Sequence, residues 1–358
     1  MFILKIIDLF SGAGGLSLGF EVEGFEPILA IDKWNDAIET YNANHENKVG
    51  TTRDIHEFTN EDIEEFMTED IVGIIGGPPC QGFSLVGTRD TNDPRNSLYI
   101  EYVRFVNKIR PKFFVLENVS GLLSLEKGKF KQDIIKRFTD LGYNVDFKLL
   151  TASDYGVPQS RKRVFFVGLR KDLFGDRFFN FENLSKKDMV STKDAISDLP
   201  EAAPNNIPID YEKEYVNEFQ KNIRINSQKI YNHEITKHTQ QTIDIIKLVP
   251  DGGSIKDLDE EYYKVRNYNN AFKRMNSQLP SSTIDCGHRN YFHYKENRVP
   301  TVRESARIQS FPDSYIFKGS KTSQYTQVGN AVPPLLAKTI ASEIVNEFKN
   351  IEKSQKNM

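Results

Sequence analysis

Short apolar runs alternate with amphipathic stretches along the first 170 residues, and most of the runs stop at a glycine-rich or acidic turn. Phe2–Leu9 leads into a Gly-rich turn, Pro27–Ile31 ends at Asp32, Ile71–Ile75 ends at Gly76-Gly77-Pro78-Pro79, and Phe113–Leu116 ends at Glu117. Between them, Trp34–His45, Leu98–Ile109 and Phe130–Leu141 read as helices, and Val164–Leu169 is a further strand. Strand–turn–helix repetition predicts an α/β fold: a mostly parallel, doubly wound sheet with helices on both faces. Such sheets carry their ligands beyond the carboxyl ends of the strands. The residues at those ends, Asp8-Leu9-Phe10, Asp32, Gly76-Gly77 and Glu117, are therefore the candidates for a site.

The pattern fails after about Arg170. The stretch Lys171–Arg303 is richer in Asn, Lys, Asp and Tyr and has few long apolar runs, which places a second, smaller domain there. Regular organisation returns near Thr301, Leu335–Phe348 reads as an amphipathic helix, and the polar residues 350–358 read as a frayed end. The expected division is a catalytic and cofactor-binding part over 1–174, a recognition domain over 175–300, a return to the first domain over 301–346, and a polar tail over 347–358. A hydrophobic content of 38% suffices for a core. No stretch approaches the roughly 20 apolar residues that a membrane span needs. The opening MFILKIIDLF lacks the basic lead and cleavage site of a signal peptide, so it is expected to be a buried strand in a cytoplasmic protein. Two cysteines without a CxxC pair, and six histidines without ligand spacing, argue against a disulfide framework and a metal site. The net charge is -3, but Lys221–Arg303 holds 14 basic and 9 acidic residues, a balance that fits either a phosphate-contacting face or chance.

Five segments carry chemistry. In Asp8-Leu9-Phe10-Ser11-Gly12-Ala13-Gly14-Gly15, glycines let the backbone approach a ligand, and Asp32 follows at the distance at which an acid grips a ribose diol. Taken alone, this is equally an ordinary tight turn, and Ser17 stands where the dinucleotide fingerprint has its third glycine. In Gly76-Gly77-Pro78-Pro79-Cys80-Gln81-Gly82-Phe83-Ser84, two prolines fix the backbone before a cysteine. A lone cysteine is usually a small buried hydrophobe, yet this setting suits presenting a thiol. Leu85–Ser97 reads as a loop able to close over a substrate. Glu117-Asn118-Val119 puts a carboxylate at a strand end, where desolvation would suit it to proton transfer; a solvated strand-end acid is the plainer alternative. In Gln159-Ser160-Arg161-Lys162-Arg163, strand alternation would point Gln159, Arg161 and Arg163 to one face. Two guanidiniums there suit a carboxylate, a phosphate or a base oxygen, or simply form a basic edge. Gln327-Val328-Gly329-Asn330-Ala331-Val332-Pro333-Pro334 precedes the last helix and offers Asn330 as a side-chain amide.

In this order, together with Arg303-Glu304-Ser305-Ala306-Arg307-Ile308-Gln309-Ser310-Phe311-Pro312, the segments resemble the signatures of the cytosine-C5 DNA methyltransferases of prokaryotic restriction–modification systems. The resemblance implies a Rossmann-like, S-adenosylmethionine-dependent methyltransferase sheet with a DNA-recognition domain. S-adenosyl-L-methionine would lie across Phe10, Ser11, Gly12, Ala13, Gly14 and Gly15. Asp32 would hold its ribose with Lys33 beside it, in a position where many members carry Glu. Asp54 and Ile55 match the pair that borders the adenine, and Pro79, Leu98, Asn330 and Val332 would complete the pocket. Cys80 would be the nucleophile, with Glu117, Arg161 and Arg163 serving the flipped cytosine. Ser84, Gln159, Thr283 (in Ser282-Thr283-Ile284, which resembles the family's Thr-Leu-type dipeptide) and Arg289 would contact double-stranded DNA. The implied protein is a monomer, needs no metal or membrane, and belongs with a cognate restriction endonuclease. Three alternatives compete: a tRNA cytosine-C5 methyltransferase, whose Cys-Phe-Thr segment is absent; a silent DNA-binding relative, disfavoured by the intact motif residues; and a nicotinamide oxidoreductase, disfavoured by the failed fingerprint.

Overall fold

The structure is a computed structural model that describes residues 4–79, 97–263, 272–286 and 291–356. It divides into two compact units, residues 1–151, 162–185 and 336–358 in one, and 152–161 with 186–335 in the other.

The first unit is built on seven strands: β1 (Leu4–Leu9), β2 (Phe25–Asp32), β3 (Gly50–Thr52), β4 (Ile71–Gly76), β5 (Phe113–Val119), β6 (Tyr143–Thr151) and β7 (Lys162–Arg170). Their order in the sheet is β3-β2-β1-β4-β5-β7-β6. The pairings are parallel from β3 through β5, while β7 runs antiparallel to both β5 and β6. The helices α1 (Gly15–Val22), α2 (Asn35–Asn44), α3 (Asn60–Glu65), α4 (Ser97–Ile109) and α5 (Lys129–Asp140) lie in sequence between strands. Winding goes outward from β1 to β3, then crosses back and goes outward again from β4. With right-handed crossovers this makes a doubly wound sheet whose switch point lies between β1 and β4, where such sheets bind ligands.

The expected runs all became elements, within a few residues at their ends. Two strands escaped the sequence pattern. β3 is three residues long, and β6 (YNVDFKLLT) is punctuated by polar residues because much of it is only half-buried. The centre of the sheet is tightly packed. Gly73 on β4 and Gly168 on β7 flank β5, and a Cβ at either would lie 2.2 Å from the Phe113 ring or 2.0 Å from the Phe114 ring. Glycine is needed at both because the rings cover the neighbouring backbone. The last helix, Pro334–Lys356, runs past the expected end at Phe348. Its Phe348 packs on Phe113 and Phe174 at ring separations of 5.8 and 6.0 Å, so the polar tail continues a helix anchored in the core rather than fraying from residue 350.

The second unit has short helices and one two-residue strand pair among the described residues. It is held by buried charge instead of long apolar runs. Arg307 donates to Asp198 at 2.5 Å and to Asp313 at 2.7 and 2.9 Å, and all three side chains are fully buried. Arg298 pairs with Glu304 through two bonds of 2.7 and 2.8 Å, and Glu304 closes a capping box with Thr301 at the start of the helix Val302–Ile308. Buried ions persist only when paired and hydrogen-bonded, which explains how a polar stretch forms a compact body. Residues 301–335 cluster with this unit, and 175–185 with the first, so the chain changes unit later at both boundaries than the composition suggested.

Candidate active site

In the first unit, β1 delivers the chain into a turn that only special backbone geometry allows. Phe10, Gly12 and Gly14 all have positive φ, at 60°, 53° and 84°. For a bulky residue such as Phe10 that conformation is an outlier, and such strain concentrates at functional sites. Two bonds fix the turn to β2: Ser11 N donates to Ile31 O, and Gly12 N donates to Asp32 Oδ2, both at 3.0 Å. The other oxygen of Asp32 accepts from Trp34 N at 2.9 Å. Burial pushes the Asp32 carboxyl up from its ordinary value, opposed by these two bonds. Space remains beside Gly12, since a Cβ there would meet nothing within 4 Å, and the Ser11 hydroxyl is buried with no partner among the described residues. A strained glycine turn with open space, an unsatisfied hydroxyl and a fixed acid at the end of β2 fits an adenosyl ligand whose ribose offers hydroxyl donors.

Ser17 explains the failed fingerprint. Its hydroxyl donates to Asp8 Oδ2 at 2.6 Å and accepts from Tyr41 at 3.0 Å, so a buried hydrogen-bond chain replaces the third glycine. Sequence reading placed Asp8 at a candidate strand end and noted Ser17 only as a missing glycine; it passed over Tyr41 and the bonds that join the three. Asp54 caps the short 3-10 turn Ile55–Glu57, accepting from His56 N at 3.0 Å and facing its ring nitrogen at 2.7 Å. Those bonds hold its carboxyl below the usual range. Ile55 is buried, Lys33 is exposed, Leu98 on α4 packs partly into the core, and Pro79 is exposed.

At the end of β5, Glu117 Oε1 lies 2.9 Å from Arg163 Nε on β7. The antiparallel register sets Val119 opposite Arg163, which brings the guanidinium back to the carboxylate two residues earlier. Gly77 makes room for it, because a Cβ there would lie 2.7 Å from Glu117 Oε2. Asn118 donates to Pro78 O at 2.7 Å, so the strand that carries the acid also clasps the proline segment leading to Cys80. Cys80, Ser84 and Arg289 themselves lie outside the described residues, as does most of the expected loop Leu85–Ser97.

The expectation that Gln159, Arg161 and Arg163 share one strand face is corrected. β7 begins only at Lys162, and the chain changes unit between Arg161 and Lys162. Arg161 is buried in the second unit, its Nη2 donating to Gly329 O at 2.8 Å and Asn330 O at 3.3 Å, with Ile284 O at 3.5 Å from Nη1. Gln159 is equally buried, donating to Gln309 Oε1 at 2.8 Å and accepting from Ile284 N at 2.9 Å. Both side chains tie the 281–286 segment to the 309 and 329–330 segments within the second unit. Thr283 stays exposed beside this knot. Asn330 ends the helix Lys321–Asn330 with an exposed amide whose Oδ1 accepts from Cys286 Sγ at 2.6 Å, and Val332 is buried just beyond it.

The C-5 cytosine-specific DNA methylase family model matches residues 4–346. The type II methyltransferase M.DdeI of Desulfomicrobium norvegicum is 43% identical over 97% of this chain and 90% of its own length. The type II methyltransferase M1.HphI of Haemophilus parahaemolyticus is 38% identical over 97% and 88%. Among solved structures, a protein described as a DNA modification methyltransferase encoded within an E. coli prophage superposes with a TM-score of 0.82, at 28% identity, over 97% of this chain and 99% of that one. A match of this length, on a chain whose strand ends carry the acid, the arginine and the glycine turn in these positions, makes it a member of the C-5 cytosine-specific DNA methylase family and a DNA (cytosine-5-)-methyltransferase.

Proposed function

We propose that this enzyme moves a methyl group from S-adenosyl-L-methionine to C5 of a cytosine flipped out of a specific short double-stranded DNA sequence, through a covalent bond between Cys80 and C6. The observation that carries this reading is the strand end of β5, where Glu117 meets Arg163 while Asn118 clasps the segment just before Cys80. When bound, the cofactor supplies an electrophilic methyl on a sulfonium. C5 of cytosine is a poor nucleophile, so addition of the Cys80 thiolate at C6 first breaks aromaticity and places electron density at C5. Negative charge also develops toward N3, where a proton on Glu117 relieves it, and Arg163 holds O2. C5 then takes the methyl; loss of the C5 proton and expulsion of Cys80 restore the aromatic ring. C6 is inaccessible in stacked DNA, which requires the base to leave the helix.

The Phe10–Gly15 turn with Asp32 and Lys33 holds the adenosyl group, and Asp54, Ile55, Pro79, Leu98, Asn330 and Val332 are assigned to the same ligand. Ser84, Thr283 and Arg289 are assigned to DNA contact. Residues 175–300 read the sequence. The protein works as a monomer in the cytoplasm, beside a restriction endonuclease of the same specificity, in line with the type II methyltransferases it is similar to. Among the described residues no helix is long and apolar enough to cross a membrane. Incubating the protein with methyl-labelled cofactor and either DNA or tRNA tests the reading. Label in 5-methylcytosine of DNA at one recurring sequence is expected, and label in tRNA alone would overturn it.

A further inference from the structure

Asp8 has no part in the chemistry described so far, yet it occupies an expensive position. It is completely buried two residues before the strained Phe10 turn. One carboxyl oxygen accepts from Ser17, while the other, Oδ1, has no hydrogen-bond partner among the described residues. The groups acting on it from the surrounding elements are Ser17 and Glu21 on α1, Tyr41 on α2 through Ser17, Asp32 at the end of β2, and Tyr102 on α4. The charged ones, Glu21 and Asp32, share its sign. A buried acid with an unsatisfied oxygen and acidic neighbours calls for an explanation. The explanation that fits the location is a ligand of opposite charge.

The methyl donor has that charge and loses it in the reaction. With a sulfonium, an ammonium and a carboxylate it is a net monocation; the spent thioether, S-adenosylhomocysteine, is net neutral. We propose that Asp8 distinguishes the two, its buried carboxylate being balanced by the cationic donor and left unbalanced by the neutral product, so that charge lost at the sulfur weakens the grip on spent cofactor. This rests on the assignment of the turn to S-adenosylmethionine. Burial holds the Asp8 carboxyl up at about 7, so near neutrality part of the protein carries it protonated. A cation arriving at the turn favours the ionised form, and the carboxyl proton passes to the buffer.

The test is calorimetric titration of the wild-type protein with each ligand between pH 6 and 8, in buffers of different ionisation heat. The S-adenosylmethionine dissociation constant should fall about tenfold over that range, with about half a proton released at pH 7, the linkage expected for one group titrating near neutrality. The S-adenosylhomocysteine constant should change far less. The Asp32–ribose contact is common to both ligands and cancels in their ratio, while the α-amino group, made more acidic in the donor by its sulfonium, can only lose charge as pH rises and so acts opposite in sign to the ionisation of Asp8. Asp8→Asn should make the ratio independent of pH and reduce the preference for the cation by roughly tenfold, a modest Coulomb contribution. Ser17→Ala keeps the acid but removes its donor, and should move the inflection to higher pH; it and the wild-type titration decide the matter even if Asp8→Asn does not fold. A ligand ratio constant across pH in the wild type would overturn the role of Asp8 while leaving the cofactor assignment intact. Failure of either ligand to bind would overturn both.

Discussion

Gly77→Ala separates the positioning of Glu117 from the stability of the fold. A methyl group at residue 77 would sit 2.7 Å from Glu117 Oε2, about 0.7 Å short of the 3.4 Å at which ordinary contact begins. Residue 77 has no positive φ, so its backbone accepts alanine. The obstructed atom is the end of a flexible side chain, so the fold should lose no more than about 1 kcal/mol. The carboxylate, however, must retreat while its other oxygen is held by Arg163 at 2.9 Å. A displacement approaching 1 Å in the group proposed to meet N3 of the base is expected to lower kcat by roughly 10- to 100-fold. Steady-state methylation with labelled cofactor, alongside urea unfolding, reads both quantities. Gly76→Ala is the contrast: its Cβ would lie 2.1 Å from the Leu9 carbonyl, a backbone atom, so stability should fall with activity. Retention of full kcat by Gly77→Ala, or a stability loss as large as that of Gly76→Ala, would refute the argument that Gly77 makes room for a catalytic carboxylate.

Asp32→Ala should weaken S-adenosylmethionine binding by about 1.5–3 kcal/mol, the span for a lost charge-assisted hydrogen bond, and the single tryptophan, Trp34, bonded to Asp32, offers a fluorescence signal for that titration. Unchanged affinity would remove Asp32 from the site. Exchanging residues 175–300 for those of another family member should move methylation to the donor's sequence; an active chimera that still methylates the original site would sink the recognition assignment. Asp8→Asn should also raise stability in a pH-dependent way. Folding raises the Asp8 carboxyl from 3.8 to about 7, so the native state favours its neutral form, and that contribution is present at low pH and lost as pH rises through 7. At about 1.4 kcal/mol per pH unit the wild type forfeits up to about 4 kcal/mol by pH 8, which asparagine does not. Urea unfolding at pH 4 and pH 8 should show the variant gaining only at the higher value.

Much of the fold was legible because hydrophobic periodicity is local. Each run from Phe2–Leu9 to Val164–Leu169 carries its own signal, and the strand-end residues it points to include the Glu117 that meets Arg163. What stayed hidden was set by partners distant in sequence. Nothing near Lys162 announces that the chain changes unit there, so Gln159 and Arg161 read as strand neighbours of Arg163, although their hydrogen bonds reach more than 120 residues ahead to Ile284. The second unit was opaque for a related reason. Its interior includes Arg303, Glu304, Arg307, Asp198 and Asp313 beside its apolar residues, and a pattern-based reading assigns such charges to the surface. Ser17 looked like a defect in a glycine fingerprint until Asp8 and Tyr41 were seen on either side of it.

The central claim is the covalent bond from Cys80 to C6. DNA carrying 5-fluorocytosine at the target has no C5 proton to lose, so after methyl transfer the adduct cannot collapse. The account predicts a protein–DNA complex that survives denaturing electrophoresis only when S-adenosylmethionine is present, with the DNA on a peptide containing Cys80. It predicts that Cys80→Ala abolishes both the complex and methylation while keeping much of the DNA affinity, which rests on phosphate and base contacts. Methylation by Cys80→Ala, or a trapped peptide containing Cys286, would contradict it.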